Sequence, residues 1–420
     1  MRPAWRGVLV AFRSVRAARV ALAATLLVSL VACRDGEATS TSEAPPTSDR
    51  AAGTAVVPTT PRPTTSPSTT AVDETAPVTS PSTPRDAATA VAPGYPSQPV
   101  DVPFPAADWP VAPLPPGVDG AALDSAVDAA MGAPDGGSGV RSTVVVQGGT
   151  IVYERYHPSV GPETVMSSYS VAKSFTSAII GLLVDDGLLA LDEPVVRPEW
   201  PAGDPRAAIT LRQLLQMSSG LQWDEVSSLM TMGLTMLAAP SAAAIMARQP
   251  LEHEPGTTFE YSTGTSALVA GIAADAVGGC AELDAYLRDR LLDPIGVTSA
   301  TITQDGGGCF VGGLGMDMTT RDFARFGLLH VRGGIWDGEQ VLPTSWIDEA
   351  RIPAPTDPRY GLHWWLGATG GEFAAVGLGG QQVAVFPSSD LVIVVNSTFG
   401  NDDAAGTLVG ALASAFGARS

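Results

Sequence analysis

The chain has 420 residues, a hydrophobic fraction of 45% and a formal net charge of −19 at pH 7. A charge this negative repels nucleic-acid phosphates, so we expect no nucleic-acid partner. The length would allow two or three domains, but the composition of the first hundred residues is not that of a packed core.

The N-terminus has the pattern of an export signal. Residues 1–32 carry five arginines and no acidic residue, and the apolar run Val20–Ala32 is too short to span a bilayer as a helix. Small residues directly before Cys33 resemble a bacterial lipobox, in which the cysteine is lipidated and becomes the new N-terminus. The alternative is ordinary signal cleavage near Ala32. We expect lipidation of Cys33, which would anchor the protein to the outer face of the cytoplasmic membrane.

Residues 33–95 are dominated by Thr, Ser, Pro and Ala. Such a segment buries too little apolar surface to offset the entropy that is lost on ordering. We therefore expect a disordered, partly extended tether between the membrane anchor and a folded domain at 96–420.

The folded domain opens with a short helix, whose apolar face carries Leu123, Val127 and Met131. Two β-branched runs follow at 142–147 and 150–156. The two glycines between these runs predict a hairpin turn and therefore antiparallel pairing.

The rest of the domain alternates between a helical centre and a strand-forming end. A helical pattern at 171–189 places Ser170 at the start of a helix. Further helices are predicted at 210–217, 226–238, 264–278, 281–292, 319–332 and 404–416, and strands at 360–366, 382–386 and 391–395. Strands from both chain ends predict an α/β fold: an antiparallel sheet flanked by helices, interrupted by a helical subdomain at about 190–350.

Ser170 and Lys173 place a hydroxyl and an amine three residues apart at the helix start, where both side chains share one face. Burial would lower the pKa of the lysine, so that a neutral amine could take the proton of a serine nucleophile. Lys173 is also the only lysine in the chain, among many arginines that stay protonated, which favours a chemical role. A surface lysine near a helix start is the alternative.

Two later segments could complete such a site. Tyr261 stands before a helix and could pass a proton to a leaving group if a nearby ammonium lowers its pKa; a structural tyrosine is the alternative. The glycines of 377–380 enter a late strand, where they could let a ligand approach the backbone N–H groups of an oxyanion hole. A glycine-rich hairpin turn gives the same pattern.

The order of these motifs resembles that of the serine β-lactamases and penicillin-binding proteins. Three further stretches, Ile209–Leu221, Pro255–Tyr261 and Gly313–Gly327, resemble the class C β-lactamases and their esterase relatives. The resemblance covers about 115–415 and implies a β-lactamase/transpeptidase-like fold. It also implies a role for each motif residue: Ser170 as nucleophile, Lys173 as base, Tyr261 as proton carrier, and Leu378, Gly379 and Gly380 as oxyanion and substrate-binding segment.

Departures from the class C pattern bear on the substrate. Thr263 stands where that pattern has asparagine, and Leu378–Gly380 replaces Lys-Thr-Gly, with 377–379 as the other register. The lost lysine normally binds the carboxylate of a β-lactam or D-Ala-D-Ala peptide. The glycine-rich version resembles the aminohexanoate-dimer hydrolases and family esterases, which implies a small ester or amide substrate.

Two other functions stay open at this point. One is a D-Ala-D-Ala carboxypeptidase or weak class C-like β-lactamase. The other is a non-catalytic penicillin-binding-like module of the cell envelope. Cys280 and Cys309 are expected to form a disulfide outside the cytoplasm. Two cysteines without nearby histidines make a poor zinc site, so we expect no metal and no cofactor.

Overall fold

The computed structural model describes residues 102–133, 139–367 and 371–418. The predicted signal peptide, Cys33 and the tether lie outside these residues. The strands of the main sheet are β1 (Val140–Gln147), β2 (Thr150–Tyr156), β8 (Trp365–Leu366), β9 (Phe373–Gly377), β10 (Gln381–Phe386) and β11 (Leu391–Ser397). These six strands are antiparallel and lie in the order β2-β1-β11-β10-β9-β8.

The hairpin that the sequence predicts forms the start of this sheet. Gly148 and Gly149 have φ values of 62° and 73°, the left-handed conformation that a two-residue hairpin turn needs. The other neighbour of β1 is β11, with Val144 opposite Val394. The sheet is therefore built from both ends of the domain, which confirms the predicted fold class.

Successive residues of β1 point to opposite faces of the sheet. Val144 and Val146 belong to the larger core, whereas Val145 belongs to a second core on the other face. Val140 joins the second core because a bulge between Val140 and Ser142 interrupts the alternation. Helices cover both faces. In chain order they are α1 (Gly120–Met131), α2 (Ala172–Asp185), α3 (Leu211–Leu215), α4 (Glu225–Ala238), α5 (Ala242–Ala247), α6 (Thr263–Val277), α7 (Cys280–Leu287), α8 (Thr320–Val331), α9 (Thr344–Ala350) and α10 (Asp402–Ala415).

Helices α1 and α10 pack in the second core, and α2 and α8 in the larger one. Five helices, α3 to α7, lie between α2 and α8 in the chain, and α6 is buried along most of its length. Among the described residues no single helix is long and apolar enough to cross a membrane; one pair, Thr263–Val277 with Cys280–Leu292, passes only as two helices bent by 93°.

A small three-stranded sheet lies beside the start of α2. It consists of β3 (Val165–Met166), β4 (Thr301–Ile302) and β5 (Met316–Thr319), with β5 in the middle. A two-stranded ribbon joins β6 (Ile335–Trp336) to β7 (Glu339–Gln340). Cys280 and Cys309 are joined by a disulfide, as expected, across 29 residues of sequence.

Candidate active site

Ser170 lies in a short 3₁₀ turn, Tyr169–Val171, that leads directly into α2. The preceding residue, Ser168, holds this turn against β5: its N–H donates to the carboxylate of Asp317 at 2.8 Å. Tyr169 has a φ of 45°, a left-handed conformation that is unfavourable for a residue with a side chain. The surroundings thus hold Ser170 at the N-terminus of α2, where backbone N–H groups and the helix dipole favour a negative charge.

Lys173 lies one helical turn below Ser170 and is only 1% exposed. Its Nζ donates to the carbonyl oxygen of Gly313 at 2.9 Å and lies 3.0 Å from Ser170 Oγ and 2.9 Å from Thr263 Oγ1. Burial lowers the pKa of Lys173 from 10.5 to about 8, against the opposing charge of Glu225. The sequence predicts this lowering of the pKa. With a pKa of about 8, the amine of Lys173 is largely neutral at mildly alkaline pH.

Glu225, the first residue of α4, is a member of the site that the sequence did not point to. Its Oε1 accepts a hydrogen bond from Thr263 Oγ1 at 2.5 Å, and its Oε2 accepts from the Thr263 N–H at 2.8 Å. Trp223 Nε1 donates to the same Oε2 at 2.7 Å. Thr263 therefore lies between Glu225 and Lys173 and contacts both.

Tyr261 packs over the lysine, with Lys173 Nζ 4.8 Å from the centre of its ring. The Tyr261 side chain also hydrogen-bonds with Ser170. Burial raises the pKa of Tyr261, helped by the charge of Glu225. This is the opposite of the lowering expected from a nearby ammonium, because burial and the charge of Glu225 outweigh the hydrogen bond with Ser170, which lowers the pKa of Tyr261. Tyr261 stays a neutral phenol, which suits a proton donor.

The glycine motif divides into two parts with different surroundings. A Cβ on Gly377 would lie 2.3 Å from the Ser168 carbonyl oxygen and 3.2 Å from the Ser170 nitrogen, so the end of β9 abuts the serine turn. Gly379 and Gly380 form the turn into β10, and their backbone N–H groups bind the carboxylate of Asp402. Gly377 is therefore the residue of the motif that meets the serine turn. Of the predicted residues Leu378, Gly379 and Gly380, Leu378 directly follows it.

An aromatic wall stands beside Tyr261. The ring of Tyr261 stacks on Trp365, with ring centres 5.7 Å apart, and meets Tyr360 edge-on, with ring centres 6.0 Å apart. Tyr360 and Trp365 are 1% and 4% exposed, whereas Trp364 packs against the core phenylalanines Phe326 and Phe373. The wall fixes the orientation of Tyr261.

One group of described side chains could hold a metal ion. The ligand atoms of Glu252, His253 and Glu260 lie within 4.8 Å of one another. Burial and the charge of Glu252 raise the pKa of Glu260. These side chains are not among the groups that contact Ser170 or Lys173 in the hydrogen bonds described above.

The structure brings Ser170, Lys173 and Tyr261 together as the sequence predicts, and adds Glu225, Thr263 and the Gly313 carbonyl. The sequence singles out Thr263 only as a departure from the class C asparagine. The sequence signal for Glu225 is its position directly before the helix predicted at 226–238.

Residues 123–414 match the family named Beta-lactamase. The chain belongs to the β-lactamase family. It is 26% identical over 289 residues to the 6-aminohexanoate-dimer hydrolase of Paenarthrobacter ureafaciens, covering 62% of this chain and 73% of that protein.

Two solved structures share the fold. A Bacillus anthracis protein provisionally named 6-aminohexanoate-dimer hydrolase matches with a TM-score of 0.60 and 22% identity, over 73% of this chain and 87% of that one. An octameric penicillin-binding protein homologue from Pyrococcus abyssi matches with a TM-score of 0.57 and 19% identity, over 72% and 78%. The family and the hydrolase relative identify the chain as a serine hydrolase acting on amides or esters.

Proposed function

We propose that this hydrolase cleaves a small ester or amide outside the cytoplasm through an acyl-enzyme on Ser170. The observation that carries the proposal is the buried amine of Lys173, whose Nζ lies 3.0 Å from Ser170 Oγ. Neutral Lys173 takes the proton of Ser170 as Oγ attacks the carbonyl carbon. The backbone N–H groups of Ser170 and Leu378 hold the oxyanion.

Collapse of the tetrahedral intermediate breaks the bond to the leaving group. Tyr261 donates its phenolic proton to that group and recovers a proton from the ammonium of Lys173. Water then attacks the acyl carbon while its proton passes through the hydroxyl of Tyr261 to neutral Lys173. As the bond to Ser170 Oγ breaks, Lys173 returns that proton to Oγ. No step needs a metal or a cofactor.

The third motif supports the substrate class. Leu378 offers no cation for a substrate carboxylate, and the only lysine of the chain is already engaged as the base. The hydrolase relative is named for a dimer of 6-aminohexanoate. Both points favour a small ester or amide over a β-lactam or a D-Ala-D-Ala peptide.

The test is hydrolysis of p-nitrophenyl esters from acetate to octanoate by the full chain. We expect Ser170→Ala to lose at least ~10³-fold in kcat/KM, because nucleophile and base act as a unit. Ser388→Ala, an exposed serine in the turn between β10 and β11, is the matched control and should keep wild-type rates. Equal rates in the wild type and Ser170→Ala would contradict the proposal.

A labelled penicillin distinguishes the alternatives. A stable adduct at Ser170 would favour a D-Ala-D-Ala carboxypeptidase or weak class C-like β-lactamase. If the protein shows no ester turnover and forms no adduct, a non-catalytic envelope module is favoured.

The location rests on the lipobox-like sequence at Cys33, and we propose a lipid anchor there. In a bacterial host, the wild type should fractionate with membranes and incorporate labelled fatty acid, whereas Cys33→Ala should do neither. A wild type released into the medium without label would support ordinary signal cleavage instead.

A further inference from the structure

The hydrogen bonds around Lys173 can be assigned a direction, starting from Glu225. A carboxylate only accepts hydrogen bonds, so each group that contacts Glu225 must donate to it. Thr263 Oγ1 lies 2.5 Å from Glu225 Oε1 and therefore donates its single hydrogen to that oxygen. Toward Lys173 the Thr263 hydroxyl can then only accept.

This direction passes on to the lysine. A neutral amine has two hydrogens and one lone pair. One hydrogen is donated to Thr263 Oγ1 at 2.9 Å, and the other to the Gly313 carbonyl oxygen, an obligate acceptor, also at 2.9 Å. The remaining direction is the one toward Ser170 Oγ at 3.0 Å. The lone pair of the neutral amine thus faces the hydroxyl whose proton it must take.

We propose that Glu225 is a positioning residue, which acts through the Thr263 hydroxyl to aim the lone pair of Lys173 at Ser170. The inference rests on the proposed function, because it matters for catalysis only if Lys173 is the base. Glu225 itself contacts neither Ser170 nor Lys173 in the described hydrogen bonds; its effect travels through Thr263.

Glu225 also sets the charge around the base. Its carboxylate favours the ammonium form of Lys173 and so opposes the effect of burial on that pKa. The other titratable groups that face the lysine are Tyr261 and His363, and burial keeps both neutral, with the pKa of His363 lowered to about 3. Among these groups Glu225 is therefore the one whose charge a substitution can remove.

Glu225→Gln is the sharpest variant, because it keeps the shape and reverses the hydrogen-bond direction. Two donors, the Thr263 N–H and Trp223 Nε1, require an oxygen at the Oε2 position. The new NH₂ must then face Thr263 Oγ1 and donate to it. The Thr263 hydroxyl turns its hydrogen toward Lys173 and occupies the lone pair that the reaction needs.

Thr263 variants separate this effect from simple misfolding. Thr263→Ser keeps the hydroxyl and should keep kcat for p-nitrophenyl ester hydrolysis within about threefold of the wild type, whereas Thr263→Val removes the hydroxyl at similar volume. We expect Glu225→Gln and Thr263→Val each to lose at least about tenfold in kcat. Glu254→Gln, at an exposed glutamate nine residues before Thr263 in the chain, is the matched control.

The single lysine gives a readout that needs no activity. Labelling the full chain with lysine enriched in ¹³C at Cε yields one NMR signal, from Lys173, whose pH titration gives its pKa directly. Glu225→Gln should move this titration to lower pH, because the variant loses the charge that favours the ammonium. Glu254→Gln should leave it unchanged.

An unchanged Lys173 titration in folded Glu225→Gln, or full activity in either Glu225→Gln or Thr263→Val, would overturn the inference. If the wild type hydrolyses no ester, the proposed function fails by itself, and the NMR titration still decides whether Glu225 controls Lys173.

Discussion

At the scale of single residues, the site depends on a lysine that the fold keeps out of water. The other basic residues of the chain are arginines and histidines, and arginine stays protonated whatever its surroundings. Lys173 is buried among a hydroxyl, a carbonyl and an aromatic ring, with Glu225 one hydroxyl away. Burial lowers its pKa and Glu225 limits the fall, so that the base is neutral at moderately alkaline pH.

The pH dependence of ester hydrolysis should report this lysine. A base with a pKa of about 8 is protonated below that pH, so kcat/KM should rise about tenfold per pH unit below it and level off above it. Because the pKa of Tyr261 is raised, no falling limb is expected up to about pH 10. Rates are measured against Ser170→Ala to subtract hydrolysis by hydroxide.

Lys173→Arg is the companion variant. Its guanidinium stays protonated, so activity should be lost and raising the pH should not restore it. A flat wild-type profile between pH 6 and 9, or an active Lys173→Arg, would show that another group is the base.

The sequence could supply Ser170, Lys173 and Tyr261 because spacing, residue type and order carry that information. It could not supply Glu225, whose role depends on contacts between residues far apart in the chain. Thr263 lies 38 residues from Glu225 and 90 from Lys173, and the Gly313 carbonyl lies 140 residues from the lysine. Only the packing of α2, α4, α6 and the loop before β5 brings these groups within hydrogen-bond distance.

At the scale of elements, the decisive contact is between the end of β9 and the serine turn before α2. The sequence left two registers open for the glycine motif, because both place glycines near a strand. The structure distinguishes their environments: Gly377 meets the backbone of Ser168 and Ser170, while Gly379 packs near Phe399 and Thr398. Strand β9 itself escaped prediction, since Phe373–Gly377 is a short run without a clear alternation of apolar and polar residues.

Gly377→Ala tests this contact. The added methyl would lie 2.3 Å from a carbonyl oxygen of the serine turn, so the backbone must shift at the nucleophile. A displacement of this kind should lower kcat/KM by about 100-fold or more.

The control is Gly410→Ala in α10, where a new Cβ meets nothing within 4 Å. It should keep wild-type activity and gain about 0.5–1 kcal/mol in the free energy of unfolding. Wild-type kinetics in Gly377→Ala would mean that the serine turn tolerates movement of β9, against the tight geometry inferred here.

At the scale of the whole molecule, the fold could be predicted because the hydrophobic periodicity and the turn residues of the sequence indicate the same elements. The β1–β2 hairpin, the long helix after Ser170 and the C-terminal helix all follow from clear periodicity and glycine turns. The short helices α5 and α9 were missed, because six or seven residues give too few turns for a period to emerge. The small sheet around β5 was also missed, since its outer strands have two residues each.

The Cys280–Cys309 disulfide joins the start of α7 to the loop that ends at the Gly313 carbonyl. Asp305 organises that loop, accepting hydrogen bonds from the N–H groups of Gly307, Cys309 and Ala242. A bridge across 29 residues restricts the unfolded chain, and its loss should lower the free energy of unfolding by about 3–4 kcal/mol. The site itself should suffer less, because Asp305 and the Lys173 contact still hold the loop in the folded state.

The measurement is urea unfolding of the wild type, before and after reduction, and of the Cys280→Ser/Cys309→Ser variant. Reduced wild type and variant should unfold at the same, lower urea concentration, with ester hydrolysis at low temperature within a few-fold of the oxidised protein. Loss of activity without loss of stability would contradict the prediction that the disulfide acts mainly on stability. The disulfide would then serve chiefly to place Gly313 against Lys173, because the hydrogen bonds of Asp305 would be too weak to hold the loop alone.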